Sequence, residues 1–229
     1  MTDHQQKQIE IIDKIEDGVK NNALITTVVD PVDDFVNDPR ICLVGLHIAK
    51  PEFASRIVDT LINPLQAIEP NFHYYMPGAQ HFTIKNIRTI ENPPTFTEVD
   101  VIKAQKLFAH IIPQHARFKI YFYKLLLFPN SLTLMTTTDP ELDSIVLDLD
   151  QALNDADLPD NKTYANSSHF FCNMTLARFN QEPSGAFKEK VRELSNSMHF
   201  EPYTIDNVSL ITGNAVLAQC NIIDEWKLL

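Results

Sequence analysis

The chain has 229 residues, 44% of them hydrophobic and 21% charged, which is ordinary for a globular protein and long enough to bury a proper core. Its formal net charge of −11 argues against a broad, non-specific grip on long nucleic acid, because neutralising phosphates takes Lys and Arg in excess. With 5 glycines and neither a GxGxxG nor a P-loop, dinucleotide-fold and Walker chemistry find no support.

Residues 5–20 place Ile9, Ile12, Ile15 and Val19 at helical spacing and predict an amphipathic helix. The acidic stretch 30–39, with two prolines, reads as a solvated connector. Residues 41–49 (ICLVGLHIA) form a nearly continuous apolar run, which predicts a central strand buried on both faces; its His47 reads as a satisfied core histidine. Pro51 opens a helix through about Leu61, with Phe53, Ile57 and Leu61 on one face. The turn-rich residues 70–78 lead to a strand over 81–87. After a Pro-rich loop at 91–97 come a helix over 98–112 and two strands, 117–128 and 131–137, joined at Pro129-Asn130. Asp139 is placed to cap the next helix, with Pro140 at its first position and Leu142, Ile145, Val146 and Leu149 as its stripe. A polar loop then leads into a strand segment within 169–179 and a helix over 184–198. A closing strand pair, 204–212 and 215–226, turns at Gly213-Asn214.

Strands and helices intermix without a strict βαβ beat. The expected class is α+β: two facing antiparallel-rich sheets in pseudo-twofold lobes, helices outside and a central cleft. One bilobal domain would span 1–229, with 1–40 as an N-terminal extension. Cys42, Cys172 and Cys220 lie in apolar runs, an odd set without paired spacing, and read as buried thiols in a reducing compartment, hence cytoplasmic. No apolar signal region opens the chain and no apolar run approaches the ~18 residues of a membrane span. The N-x-Ser/Thr sequons at Asn161, Asn166, Asn173 and Asn207 read as chance matches.

The chemistry concentrates in His81-Phe82-Thr83-Ile84. Strand alternation puts His81 and Thr83 on the face opposite Phe82 and Ile84, roughly 6.6 Å apart at about 3.3 Å per residue. The pattern returns 92 residues later as Asn173-Met174-Thr175-Leu176, so the two copies are expected to face a shared cleft. Lys85 shares the parity of His81 and Thr83 and is available to hold an anion; the plainer reading is a lysine reaching solvent at the strand end.

The pair His81-Phe-Thr83-Ile and Asn173-Met-Thr175-Leu-Ala-Arg178-Phe resembles the paired H-x-[ST]-hydrophobic motifs of the two-histidine phosphoesterase superfamily, which includes 2'-5' RNA ligase-like proteins and cyclic nucleotide phosphodiesterases. The resemblance extends through 128–145 and the closing segment 208–229. It implies a site without metal or cofactor, in which one histidine is general base, the other general acid, and the paired hydroxyls hold phosphate. Carried over, it gives His81, Thr83 and Thr175 as catalytic and Asn173, with Lys85, as substrate-binding. The partner would be a small phosphate-containing ligand or a short RNA end.

Asn173 stands where the second histidine belongs. An amide donates a hydrogen bond to a phosphate oxygen but exchanges no proton near neutral pH, and losing one acid or base typically costs about 10²- to 10⁴-fold. His169 shares the parity of Asn173 but lies about 13 Å away along a regular strand. His73, His110 and His115 lie in loops or at helix ends, and the sequence does not decide among them. Arg178 matches the motif, yet strand parity turns it away from the cleft and suggests a structural ion pair; Cys172 reads as core. Three readings stand: a phosphodiesterase using His81, a phosphate-binding module with little turnover, and a fold with an unused cleft.

Overall fold

In a computed structural model describing residues 1–229, the strands form two antiparallel sheets. The first has the order β3-β1-β8-β9, built from β1 (Ile41–Ile48), β3 (His81–Glu91), β8 (Asn207–Gly213) and β9 (Cys220–Lys227). The second has the order β2-β6-β5-β4-β7, built from β2 (His73–Tyr74), β4 (Phe118–Phe128), β5 (Ser131–Thr138), β6 (Asn173–Arg178) and β7 (Tyr203–Ile205). The helices are α1 (Asp3–Lys20), α2 (Pro51–Ile57), α3 (Asn63–Gln66), α4 (Glu98–Ile111), α5 (Glu141–Asp155) and α6 (Gly185–Ser197). The chain thus adopts the expected α+β class with two antiparallel sheets, and β3 touches β6 across them. No helix is long and apolar enough to cross a membrane.

The motif strands sit where burial on the far face fixes them. β1 carries Leu43, Val44 and Leu46 inside, and Gly45 admits α4: a Cβ there would come 2.4 Å from Phe108 Cε1. In β6, Met174, Leu176 and Ala177 are wholly buried and join the main core with Leu132 and Leu134 of β5.

The N-terminal helix is bound to the second sheet. Thr2 and Gln5 form a capping box, and Ile11, Ile12 and Ile15 pack against Leu126, Phe128 and Met135. Ile11 takes the inner place expected of Ile9, which is half-buried. Gln8, fully buried, donates to Thr138 Oγ1 at 2.7 Å and accepts from the Thr138 amide at 2.8 Å. That satisfied pair fixes the helix across β5.

Several local expectations change. The helix from Pro51 does not stop near Leu61. Asn63 N reaches back to Val58 O through a wide turn over Val58–Ile62, and α3 follows with Pro64 near its start. Asp139 does not cap α5. Its carboxylate instead accepts from Lys119 N at 2.9 Å and Tyr121 Oη at 3.0 Å, leaving Pro140 at the cap position. The 30–39 stretch is anchored rather than merely solvated: Phe35 is buried, and Arg40 chelates the buried Asp38 at 2.8–3.1 Å. The β8–β9 connection is a loop of residues 214–219, not a tight turn at Gly213-Asn214. Buried Asn214 holds that loop to the carbonyls of Phe35 (3.3 Å) and Val36 (3.1 Å). Of the thiols, Cys172 is buried as expected, Cys42 is half-buried and Cys220 is exposed on edge strand β9.

Candidate functional site

Both motifs fall on one cleft of about 650 Å³ between the sheets. His81, Thr83 and Asn86 reach it from β3, Asn173, Thr175 and Arg178 from β6, and Ser131, Thr133 and Met135 from β5. Ile15 of α1 and residues 26–30 complete part of the wall, so the N-terminal segment belongs to the cleft's architecture.

The two motif strands share a backbone device. In β3, Thr83 pairs with Leu46 and Lys85 with Gly45, so Ile84 is an extra residue. In β6, Thr175 pairs with Thr133 and Ala177 with Leu132, so Leu176 is extra. Each motif therefore carries a β-bulge at its fourth position, and the side-chain alternation resets there. The fifth residue, Lys85 or Ala177, turns to the buried side; the sixth, Asn86 or Arg178, returns to the cleft.

This corrects two assignments made on simple parity. Lys85 is not a cleft residue. It is fully buried behind the sheet, its ammonium paired with Asp150 of α5 and with Asp160. A lysine so committed neither reaches solvent at a strand end nor serves an anion in the cleft. Arg178 is the converse case. It lines the cleft, is 9% exposed, and makes no ion pair. Its Nε donates to Tyr75 Oη at 2.8 Å, and the Tyr75 hydroxyl donates in turn to the Ala215 carbonyl. The signal was present in the sequence: Leu176-Ala177 are consecutive small or apolar residues inside an alternating strand, a break in period that marks a bulge.

His81 Nδ1 lies 2.8 Å from the Ala79 carbonyl, which can only accept, so Nδ1 carries the proton and Nε2 keeps its lone pair. Burial, reinforced by the Arg178 charge, holds the His81 pKa below the ordinary histidine value against the opposing Ala79 hydrogen bond. The group is a neutral, oriented imidazole. The side chains of Thr83, Asn86, Thr133, Asn173 and Thr175 make no hydrogen bond to protein, leaving free donors on the wall of the same cleft as His81.

Other titratable groups sort by position. His169 lines the cleft although 13 Å of regular strand was expected to keep it away, because residues 169–172 are not strand and β6 begins only at Asn173. His47 is the satisfied core histidine expected, with Nδ1 3.0 Å from Asn207 O and Nε2 2.8 Å from Tyr203 Oη. His115 is held between Glu141 (2.9 Å) and Asp148 (3.3 Å), His110 is exposed on α4, and His73 sits on edge strand β2; none lines the cleft. Cys42 lines it, but burial pushes its thiol up to about 11 and Sγ donates to the Gly213 carbonyl at 3.2 Å, so it supplies no thiolate. The one group with metal-ligand chemistry is His4, Asp143 and His169, whose donor atoms lie within 4.8 Å of one another. Asp143 already accepts from the Phe170 amide at 2.7 Å and lies 3.6 Å from His4 Nδ1, so the trio clasps α1 to the start of α5.

No family model and no curated protein matches the chain by sequence. Solved structures match by shape. The crystal structure of TT0787 of Thermus thermophilus superposes with a TM-score of 0.53 at 10% identity, covering 82% of this chain and 97% of that one. A crystal structure described as a phosphoesterase gives 0.52 at 11% identity, covering 82% and 98%. Escherichia coli LigT, solved with 3'-AMP, gives 0.49 at 13% identity, covering 82% and 98%.

Proposed function

The chain has the two-histidine phosphoesterase fold, and from that premise we propose that its cleft binds a phosphate ester and, using His81, hydrolyses a small cyclic phosphate or trims an oligonucleotide end. The observation that carries this reading is the convergence, on one cleft, of a neutral imidazole with a committed Nδ1–H, a cation without a carboxylate, and unpartnered hydroxyl and amide donors. Donors fixed on strands stabilise phosphoryl oxygens without reorganising.

For a 2',3'-cyclic phosphate the step is balanced as follows. A water oxygen attacks phosphorus, its proton passes to His81 Nε2, and one ring P–O bond breaks. Thr83 and Thr175 donate to the non-bridging oxygens, and Arg178 offsets the added negative charge. The departing sugar oxygen still needs a proton. Asn173 can donate a hydrogen bond to it but no proton, so solvent must complete the step, and turnover is slow.

Asn173 also favours a second reading, retention of binding with little turnover, since every holding group is kept and one reacting group is lost. Calorimetry with 2',3'-cyclic nucleotides and their ring-opened products, alongside product analysis, decides between them. Binding together with turnover abolished by His81→Gln supports the enzyme. Binding without turnover supports the module. Folded protein that binds neither at millimolar concentration refutes both.

A further inference from the structure

We propose that the cleft holds two phosphates at once, one at Arg178 between the motif strands and a second at Lys162, so that its preferred ligand is an oligonucleotide end of at least two nucleotides. This rests on the reading of the cleft as a phosphate site and names the substrate class within it.

Three Lys or Arg residues line the cleft: Arg40, Lys162 and Arg178. Arg40 is neutralised by Asp38 at 2.8 Å. Lys162 and Arg178 have no carboxylate within 4 Å, in a chain whose net charge is −11. Lys162 Nζ makes no hydrogen bond and rests 5.2 Å from the centre of the Tyr164 ring. Burial draws its pKa down to about 8 against the pull of Asp160, and neighbouring Lys85 adds to the lowering. Lys162 is half-buried, and a cation so placed without a counter-charge carries a free-energy cost that a bound anion would offset.

The two cations rest on different aromatic neighbours. Arg178 is tied to Tyr75, whose ring centre is 6.0 Å from that of His81. Lys162 is tied to Tyr164, whose ring packs 5.7 Å from Phe170 on the approach to Asn173, and whose hydroxyl lies 3.5 Å from Lys85 Nζ behind β3. A single phosphate held between the motifs satisfies Arg178 and leaves Lys162 unmatched. A phosphodiester one nucleotide along the strand supplies the second charge. The exposed Asp30 and Glu91, also on the cleft wall, oppose a longer polyanion and agree with a short end.

The test compares uridine 2',3'-cyclic phosphate with the diuridine that ends in the same cyclic phosphate, by calorimetry on wild type, Lys162→Met and Lys162→Arg, with thermal denaturation as a folding control. Wild type is expected to bind the dinucleotide about 10-fold more tightly, the size of one charge-assisted hydrogen bond. Lys162→Met should erase that advantage while leaving mononucleotide affinity unchanged, and Lys162→Arg should keep it. Equal affinity for both ligands in wild type, or an advantage that survives in Lys162→Met, overturns the second subsite while the phosphate cleft stands. Failure of wild type to bind either ligand removes the cleft reading itself and this inference with it.

Discussion

Replacing Arg178 with Met separates holding a phosphate from holding the fold. Arg178 gives one hydrogen bond to protein, Nε to Tyr75 Oη, and no ion pair, while being 9% exposed. The Tyr75 hydroxyl keeps its acceptor, the Ala215 carbonyl, after the change. Methionine fills most of the volume of the arginine stem, and a desolvated charge without a counter-charge disappears. Stability should therefore stay within about 1 kcal/mol or rise, as it does when isolated buried charges give way to apolar residues. Binding should behave oppositely. A charge-assisted hydrogen bond to phosphate contributes about 1.5–3 kcal/mol, so losing one weakens Kd by roughly 10- to 150-fold. The same change removes one of the two influences that depress the His81 pKa, so the acid limb of any turnover should move to higher pH. Calorimetry with inorganic phosphate and a cyclic nucleotide, paired with urea denaturation, reads both effects. An Arg178→Met protein that loses several kcal/mol of stability yet binds phosphate like wild type would refute the assignment of Arg178 to the ligand.

Lys85→Met should show the reverse. It leaves Asp150 and Asp160 facing each other without their cation, and with the Asp150 side chain 31% exposed the loss is set at about 2–4 kcal/mol, below the usual 3–5 for a fully buried pair. Thermal denaturation should fall by roughly 5–15 °C with phosphate affinity unchanged; intact stability with lost affinity would return Lys85 to the binding site. His47, His73 and His81 are all held below the ordinary histidine value, chiefly by burial, so the unfolded chain takes up protons more readily than the folded one. Stability should be full above about pH 6.5 and decline as pH falls below it, and a melting temperature flat from pH 8 to 5 would contradict the placement of these rings. Asn173→His should raise turnover on a cyclic nucleotide by about 10²-fold or more, unless the variant binds and still does not react.

The sequence carried the coarse design because burial writes it plainly. The apolar run at 41–49 became β1, and Phe82 and Met174 face inward as alternation required. The repeated tetrapeptide placed His81, Thr83, Asn173 and Thr175 on one cleft. What alternation could not carry was anything beyond the fourth motif residue, since a period of two is only as good as the register, and an inserted residue exchanges the faces. Lys85 and Arg178 were both misplaced for that single reason, in opposite directions. His169 was misplaced for a related one: a strand rise was applied to residues that are not strand. The contribution of residues 26–30 to the cleft wall had no local signal, because it depends on where α1 docks and how far the chain then travels.

The shared bulge also shows how unequal the two halves of the cleft are. The backbone presents three matched positions from each half: His81 with Asn173, Thr83 with Thr175, and Asn86 with Arg178. The threonines alone are the same in both halves. Where the first half offers a proton carrier followed by an amide, the second offers an amide followed by a cation. The Arg178 charge acts on His81, from the opposite motif, and favours the neutral imidazole. On the proposed reaction, one half would supply the base and the other the fixed positive charge, while neither would supply an acid. On that reading, a site so divided would hold a phosphate better than it would release a sugar oxygen. The step that should limit turnover is therefore protonation of the leaving group. Substrates with a better leaving group should escape it: an aryl phosphodiester should turn over faster than a cyclic nucleotide on wild type, and Asn173→His should narrow the gap by accelerating the cyclic nucleotide alone. Equal acceleration of both by Asn173→His would place the limitation at attack by water instead.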